Sequence, residues 1–411
     1  MRTTSTLAVA AAAALALTAC APSSSPTTDP TTGAAGTETG AAEQPAADAV
    51  EVTVGMLTSL TGPLAAYGAA FQHGFEAGWD HVTDGSGQLD GFDVTFQWVD
   101  DQGNPDTGVT QFKDLVGKGV NIIAGSASSG IAAQLAEQAA QNEVLYISGP
   151  AATDALTGVN EFTFRSGRQT FQDVATAGTF LDDISGKKVT VFAQDNAFGQ
   201  GNVAGVTAVL GGAGADVSSI LVAEDATEFT PFATRIINEK PDLVFVAWAG
   251  ATTGAMWEAL GQQGVFDATT VVTGLGDVAS YQAYGEASEN LNFLNHYFAG
   301  AGGTDAEKAM VEYLEGKGQQ ADLFSPDGFL AAQMVAHAIS EGGGQDVKEM
   351  IAALEGAKID SVKGTVEIRA EDHAVIQPMY QVKLVNDGGT YKPELIDTVD
   401  AAAVAPPVAG Q

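Results

Sequence analysis

Two short turns in the 411-residue chain carry residue types suited to holding a small ligand. "GSASSG" begins at Gly125 and "GPAATD" at Gly149, each directly after an apolar run. Hydroxyl donors beside the bare amides of a helix start suit a carboxylate, because the first N–H groups of a helix lack intrahelical partners and favour negative charge. The same residue types are also favoured helix caps, so Ser128, Ser129 and Thr153 are explained equally well as caps. Spacing alone leaves both explanations open.

Covalent and metal chemistry find less support. Cys20 is the single cysteine, which excludes intrachain disulfides and multi-cysteine metal sites. "GSASSG" lacks the G-x-S-x-G spacing of a nucleophile elbow. The five histidines, His73, His81, His296, His337 and His373, show no H-E-x-x-H spacing, and no G-x-x-x-x-G-K-[ST] loop is present for nucleotide phosphates. The chain is therefore expected to be no enzyme, with no cofactor and no metal.

The elements that must position the two turns alternate. Strand-like Val52–Leu57 precedes an apolar stripe of Leu64, Tyr67, Phe71, Phe75, Trp79 and Val82, spaced as one helical face. "FDVTFQWVD", a helix from Asp106 to Val116, "VNIIAG", a helix from Ile131 to Gln141 and "EVLYIS" follow. A second series begins with a helix at Gln169 and runs through "KKVTVFA", "ADVSSILVA", "PDLVFVAWA" and "ATTVVTG", with helices between them. Such alternation predicts βαβ units around parallel sheets, hence an α/β fold. The expected architecture is two open parallel-sheet, Rossmann-like lobes joined by a multi-crossing hinge, with a ligand cleft between them. Loops after successive parallel strands emerge at one sheet edge, where open α/β sheets bind ligands, so both turns line one rim.

The remaining segments concern location. Arg2 and the apolar run Leu7–Leu17 have the form of a signal peptide, too short to span a bilayer comfortably. The run ends in "LTAC", which resembles a bacterial lipobox with Cys20 as the lipid-attachment residue. The Pro-, Thr-, Ser- and Ala-rich segment 21–49 has too little apolar surface to order itself and is expected to be a disordered tether. With 51 acidic and 17 basic residues, the net charge of −34 disfavours nucleic acid and anionic lipid as partners. The expected location is extracytoplasmic, anchored to a bacterial cell membrane through lipid alone, as a monomer.

The motifs "GMLTSLTGPLAAYG", "DDQGNPDTG", "SSGIAAQLA", "ISGPAATD", "DNAFGQG" and "RAEDHAVIQPMY" occur in order between about residues 50 and 395. Together they resemble the type 1 periplasmic-type solute-binding proteins of the branched-chain amino acid (Leu/Ile/Val) and amide ABC-transporter family. The resemblance implies capture of an amino acid-like, amide or carboxylate ligand by hinge closure and delivery to importer permease subunits. It implies Ser129, or Ser128 beside it, as the carboxylate anchor, with the Ala151 backbone and Thr153 hydroxyl completing the cradle. Tyr67, Phe198 and Trp248 match pocket-lining aromatic positions, with Trp248 also explicable as core. The acid that would hold a ligand ammonium falls at Gly276 in an ungapped register, with Asp277 one residue later; if Asp277 cannot reach the cleft, a carboxylate or amide ligand is favoured over an α-amino acid. Asp327, in "SPDGF", is a secondary polar candidate that a place in the first turn of a helix also explains.

The expected boundaries are 1–20 signal peptide, 21–49 tether, 50–167 plus 299–360 lobe one, 168–298 plus 361–399 lobe two, and 400–411 flexible tail. The alternatives are a sugar or other small-molecule binder, or a ligand sensor, of the same fold.

Overall fold

The computed structural model describes residues 49–180, 183–284, 288 and 290–409. The signal peptide, Cys20 and nearly all of the expected tether lie outside the described residues. Among the described residues, no helix is long and apolar enough to cross a membrane.

The first sheet forms from β1 (Val50–Thr58), β2 (Phe92–Asp100), β3 (Ile122–Gly125), β4 (Leu145–Ser148) and β5 (Thr163–Arg165) in the order β2-β1-β3-β4-β5. Every pairing is parallel. The crossovers are α1 (Ala65–Val82), α2 (Pro105–Gly117) and α3 (Ser129–Asn142). β3 and β4 are buried along their whole length, as their unbroken apolar runs require of strands covered on both faces.

The chain then crosses to a second sheet. Its elements are α4 (Thr170–Gly178), β6 (Lys188–Gln194), α5 (Ala197–Val206), β7 (Asp216–Val222), α6 (Thr230–Glu239), β8 (Leu243–Ala247), α7 (Thr253–Gln262), α8 (Val265–Ala268), β9 (Thr270–Gly274), α9 (Tyr281–Tyr284) and β10 (Leu291–Asn295). It next returns to the first lobe for α10 (Asp305–Gly316), α11 (Ser325–Gly342) and α12 (Val347–Leu354), then for β11 (Lys358–Ser361), β12 (Gly364–Ile368) and β13 (Val375–Ile376). A third crossing leads to β14 (Met379–Asp387) and β15 (Thr390–Val399), which complete the seven-stranded sheet β15-β14-β10-β9-β8-β6-β7. In that sheet β14 and β15 alone run antiparallel to their neighbours.

α1 and α11 pack closely because glycine lies at their contact. A Cβ at Gly78 would sit 2.6 Å from the Phe329 carbonyl, and one at Gly74 would collide with the Ser325 backbone. Phe71, Phe75 and Trp79 are buried between α11 and the sheet, as the helical stripe predicts.

Two boundaries need correction. Residues from 361 onward were expected in lobe two, yet β12 and β13 pair with β11 in a three-stranded sheet. Val366, Ile368 and Val375 join the first core, so the return to lobe two waits until Met379. The tail expected to be flexible is held over 400–409. Val404 is fully buried with Met379 and Val399, Arg369 Nη1 donates to the Pro406 carbonyl at 2.7 Å, and the Ala409 amide donates to Asp372 at 2.9 Å.

Candidate functional site

A cavity of about 450 Å3 lies between the two sheets, at the C-terminal ends of their parallel strands. The first lobe contributes Leu64, Tyr67, Ser128, Ser129, Pro150 and Ala152 to its wall, and the second contributes Gln194, Asn196, Phe198, Trp248 and Leu275. Arg168 and His296 enter from two of the crossings, and Phe324 from the residue before α11. The lobes touch at one edge: Gly250 takes φ +84°, and a Cβ there would lie 3.1 Å from the Pro63 carbonyl.

The first turn leaves β3 through Gly125 at φ +122°, where any Cβ would strike the Leu57 carbonyl. Ser126 faces inward, fully buried and 3.4 Å from Asp101, which also accepts from Ser59 at 2.6 Å. Burial raises the Asp101 pKa, against these hydrogen bonds. Ser128 occupies the N-cap position of α3, yet its side chain makes no capping bond. The first-turn amides of α3 are left without a side-chain cap, and the hydroxyls of Ser128 and Ser129 have no protein partner among the described residues. For these two serines the cap explanation fails.

The second turn behaves differently. Thr153 does cap, accepting from the Ala155 amide at 3.2 Å, and it does not line the cavity. Ala151 is fully buried, with its carbonyl accepting from Arg165 at 2.9 Å. The expected cradle of Ala151 and Thr153 is therefore corrected: along this extended turn Pro150 and Ala152 face the cavity instead. Arg165 spends its donors on the carbonyls of Gly167, Thr153, Ala151 and Arg168 and on the Thr157 hydroxyl, so it shapes the turn and has none left for a ligand.

The three expected aromatic residues all line the cavity. Tyr67 meets Phe324 edge-on, with centroids 4.8 Å apart. Burial raises the Tyr67 hydroxyl pKa, with Asp277 adding to the effect. Trp248 serves both expected roles: one face stacks on Phe192 in the second core, while its indole N–H donates to Thr252 at 3.0 Å and the ring walls the cavity. Asp277 does not reach the wall. Its carboxylate caps the Ser280 amide at 2.9 Å, and Gly276 lines the cavity in its place.

Sequence reasoning missed a polar cluster where the crossings meet. Arg168 donates to the Pro150 carbonyl at 3.0 Å, stands 3.4 Å from Asp173 and lies over Phe324. Its Nη2 has no protein partner among the described residues. Asp327, expected as a secondary polar candidate or a helix-start acid, is wholly buried; its Oδ1 lies 3.5 Å from His296 Nε2 and 3.8 Å from Lys363 Nζ. Burial works to raise the Asp327 pKa, but His296, Lys363 and Arg168 outweigh it and hold the carboxyl below its ordinary value. Burial depresses His296 to about 4 and Lys363 to about 8. Asp173 is raised by burial, with Arg168 opposing. A cation in "SGRQ" beside a candidate crossing was the available sequence signal for Arg168. Among the described residues, no group of three or more His, Cys, Asp or Glu side chains is placed to hold a metal ion.

The model of the periplasmic binding protein family matches residues 51–390. The chain belongs to that family. It is 26% identical over 321 residues to a Leu/Ile/Val-binding protein of Rhizobium johnstonii, covering 77% of this chain and 87% of that relative. A crystal structure of an ABC-type branched-chain amino acid transporter from Rhodopseudomonas palustris is 26% identical with a TM-score of 0.74, covering 88% of this chain and 100% of the other. A solute-binding protein of an R. palustris ABC transporter, solved in complex with 4-hydroxybenzoate, is 22% identical with a TM-score of 0.78, covering 85% and 97%. The family is one of binding proteins, and this chain is a binding protein rather than an enzyme.

Proposed function

We propose that this periplasmic binding protein captures a small carboxylate with a flat apolar body and delivers it to an ABC importer. One observation carries the ligand class. Arg168 brings unpartnered donors to a cavity walled by Tyr67, Phe198, Trp248 and Phe324, while the acid expected to hold an ammonium, Asp277, is folded onto its own turn. A buried carboxylate must be paired to offset its lost hydration. The uncapped start of α3, with the Ser128 and Ser129 hydroxyls, supplies further donors. The 4-hydroxybenzoate bound by the R. palustris neighbour has the same chemistry and supports this class.

Loading proceeds by hinge closure about the three crossings, with the Trp248 and Phe198 loops covering a ligand held on lobe one. Attachment at Cys20 through lipid then keeps the receptor beside its permease. Metabolic labelling with a fatty-acid probe tests this part, and labelling that persists in Cys20→Ala rejects it.

A second possibility, an α-amino acid, rests on Glu224, which also lines the cavity although its carboxylate accepts from Asn196 at 3.0 Å. Calorimetric titration with benzoate, 4-hydroxybenzoate, leucine and glucose decides between them. The proposal expects the two aromatic acids to bind and leucine and glucose not to. Tight leucine binding overturns the ligand class and brings Glu224 forward.

A further inference from the structure

We propose that an anionic ligand enters this cleft together with one proton, and that the imidazole of His296 receives it. This rests on the carboxylate class argued above and adds the means by which the site balances the ligand's charge.

His296 follows β10 at the second crossing, is 1% exposed and lines the cavity. Its ring stacks on Phe324, with centroids 5.5 Å apart. The charged groups facing it come from every element around it. Asp327 stands in the first turn of α11, and Lys363 in the turn between β11 and β12. Arg168 comes from the first crossing, with Asp173 of α4 behind it. On its own segment, the Asn295 side-chain oxygen accepts from the His296 amide at 2.8 Å. Neither oxygen of Asp327, nor His296 Nε2, nor Lys363 Nζ makes a hydrogen bond among the described residues.

With a neutral imidazole the ionised cluster balances, Arg168 and Lys363 against Asp173 and Asp327. A ligand carboxylate against Arg168 leaves it one negative charge in excess, inside a site where water screens poorly. Protonating His296 restores the balance and gives both ring nitrogens an N–H, the one on Nε2 lying beside a carboxylate oxygen that has no donor. The proton leaves the buffer acid and forms an N–H bond on the ring nitrogen that lacks one in the neutral imidazole; no other bond changes. Burial keeps the imidazole neutral in the empty site down to about pH 4, so the acceptor is available at neutral pH. Lys363, depressed only to about 8, is already protonated there for the most part. Binding raises the His296 pKa, so affinity rises as pH falls through the bound-state value and levels off where the empty site protonates as well.

The test titrates the full chain with benzoate and its neutral isostere benzamide between about pH 5.5 and 7.5, where benzoate is ionised. Buffers of different ionisation enthalpy report the proton count. The expected result is uptake of close to one proton with benzoate and none with benzamide. Benzoate affinity should gain up to about tenfold per pH unit on acidification. His296→Gln should bind benzoate with a flat profile. Should that variant fail to fold, 15N-histidine spectra of the unsubstituted protein must show a neutral imidazole becoming imidazolium on adding benzoate. Buffer-independent heats and a flat profile in the unsubstituted protein overturn the proposal alone, as does proton uptake retained in His296→Gln. Absence of any benzoate heat removes the carboxylate class and the proposal with it.

Discussion

The guanidinium carbon of Arg168 lies 5.5 Å from the centre of the Phe324 ring. That ring also contacts His296 and Tyr67, so one aromatic side chain gathers a cation, an imidazole and a phenol from three separate segments. Neither lobe builds this arrangement alone. The ligand cavity thus has a floor made where the chain crosses between lobes, which ties its charge to the same segments that must bend on opening.

Arg168→Met keeps an apolar stem over Phe324 and removes the donors. Benzoate affinity is expected to fall by roughly 10–150-fold, equivalent to about 1.5–3 kcal/mol for a charge-assisted hydrogen bond. Asp173, already raised by burial, can protonate when its cationic neighbour goes, which limits the loss of stability. Calorimetry on the variant checks this, and unchanged affinity removes Arg168 from the ligand's partners.

The serines and the threonine should separate cleanly. Ser129→Ala is expected to weaken benzoate binding by roughly 10–150-fold, about 1.5–3 kcal/mol. Ser128→Ala should leave stability within about 0.5 kcal/mol, because no capping bond exists to lose. Thr153→Ala removes a cap and should cost about 0.5–2 kcal/mol of stability. Denaturant midpoints measure both, and a larger loss at Ser128 than at Thr153 contradicts the assignment.

The contrast between those residues shows where sequence stops. β3 and β4 were legible because uninterrupted apolar runs permit little besides a buried strand. β5, only Thr163–Arg165, and β10, where Asn292 and Asn295 interrupt the apolar pattern, are too short or too mixed to announce themselves. In "GTVEIRAEDH" the strand reading holds for Gly364–Ile368, while Arg369–His373 turn, and local alternation carries no information about which sheet a strand joins. Arg168, His296, Asp327 and Lys363 are distant in sequence, and their burial arises only when three crossings converge. The tail reads as frayed because Ala and Pro supply little apolar area, although one valine and a few backbone groups suffice to fix it.

Gly74→Ala tests the α1–α11 contact on which the first lobe and the position of Phe324 depend. Its new methyl would collide with the Ser325 backbone, which cannot turn aside as a flexible side chain would. A loss of at least about 1–3 kcal/mol is expected, as for overpacked cores, although alanine is the better helix former. A thermal midpoint at or above that of the unsubstituted protein excludes the close approach.

The tail latch should be acid-labile. Burial alone would raise the Asp372 pKa, but hydrogen bonds from Arg369 and from the Ala409 and Ala374 amides outweigh it and hold the carboxyl below its ordinary value. A group depressed on folding contributes stability that is fully present above its unfolded pKa, near 4, and is lost as pH falls through the lower folded value. The protection of the Ala409 amide, the slowing of its exchange relative to an unstructured amide at the same pH, should therefore be high at neutral pH and fall in strong acid before the sheets open. Asp372→Asn keeps the shape but loses the charge opposite Arg369, so exchange at Ala409 should already be fast at neutral pH. The same substitution should leave benzoate affinity unchanged, since Asp372 lies outside the cavity wall. Slow exchange at Ala409 in Asp372→Asn would mean that Val404 packing, and not the carboxylate, holds the tail.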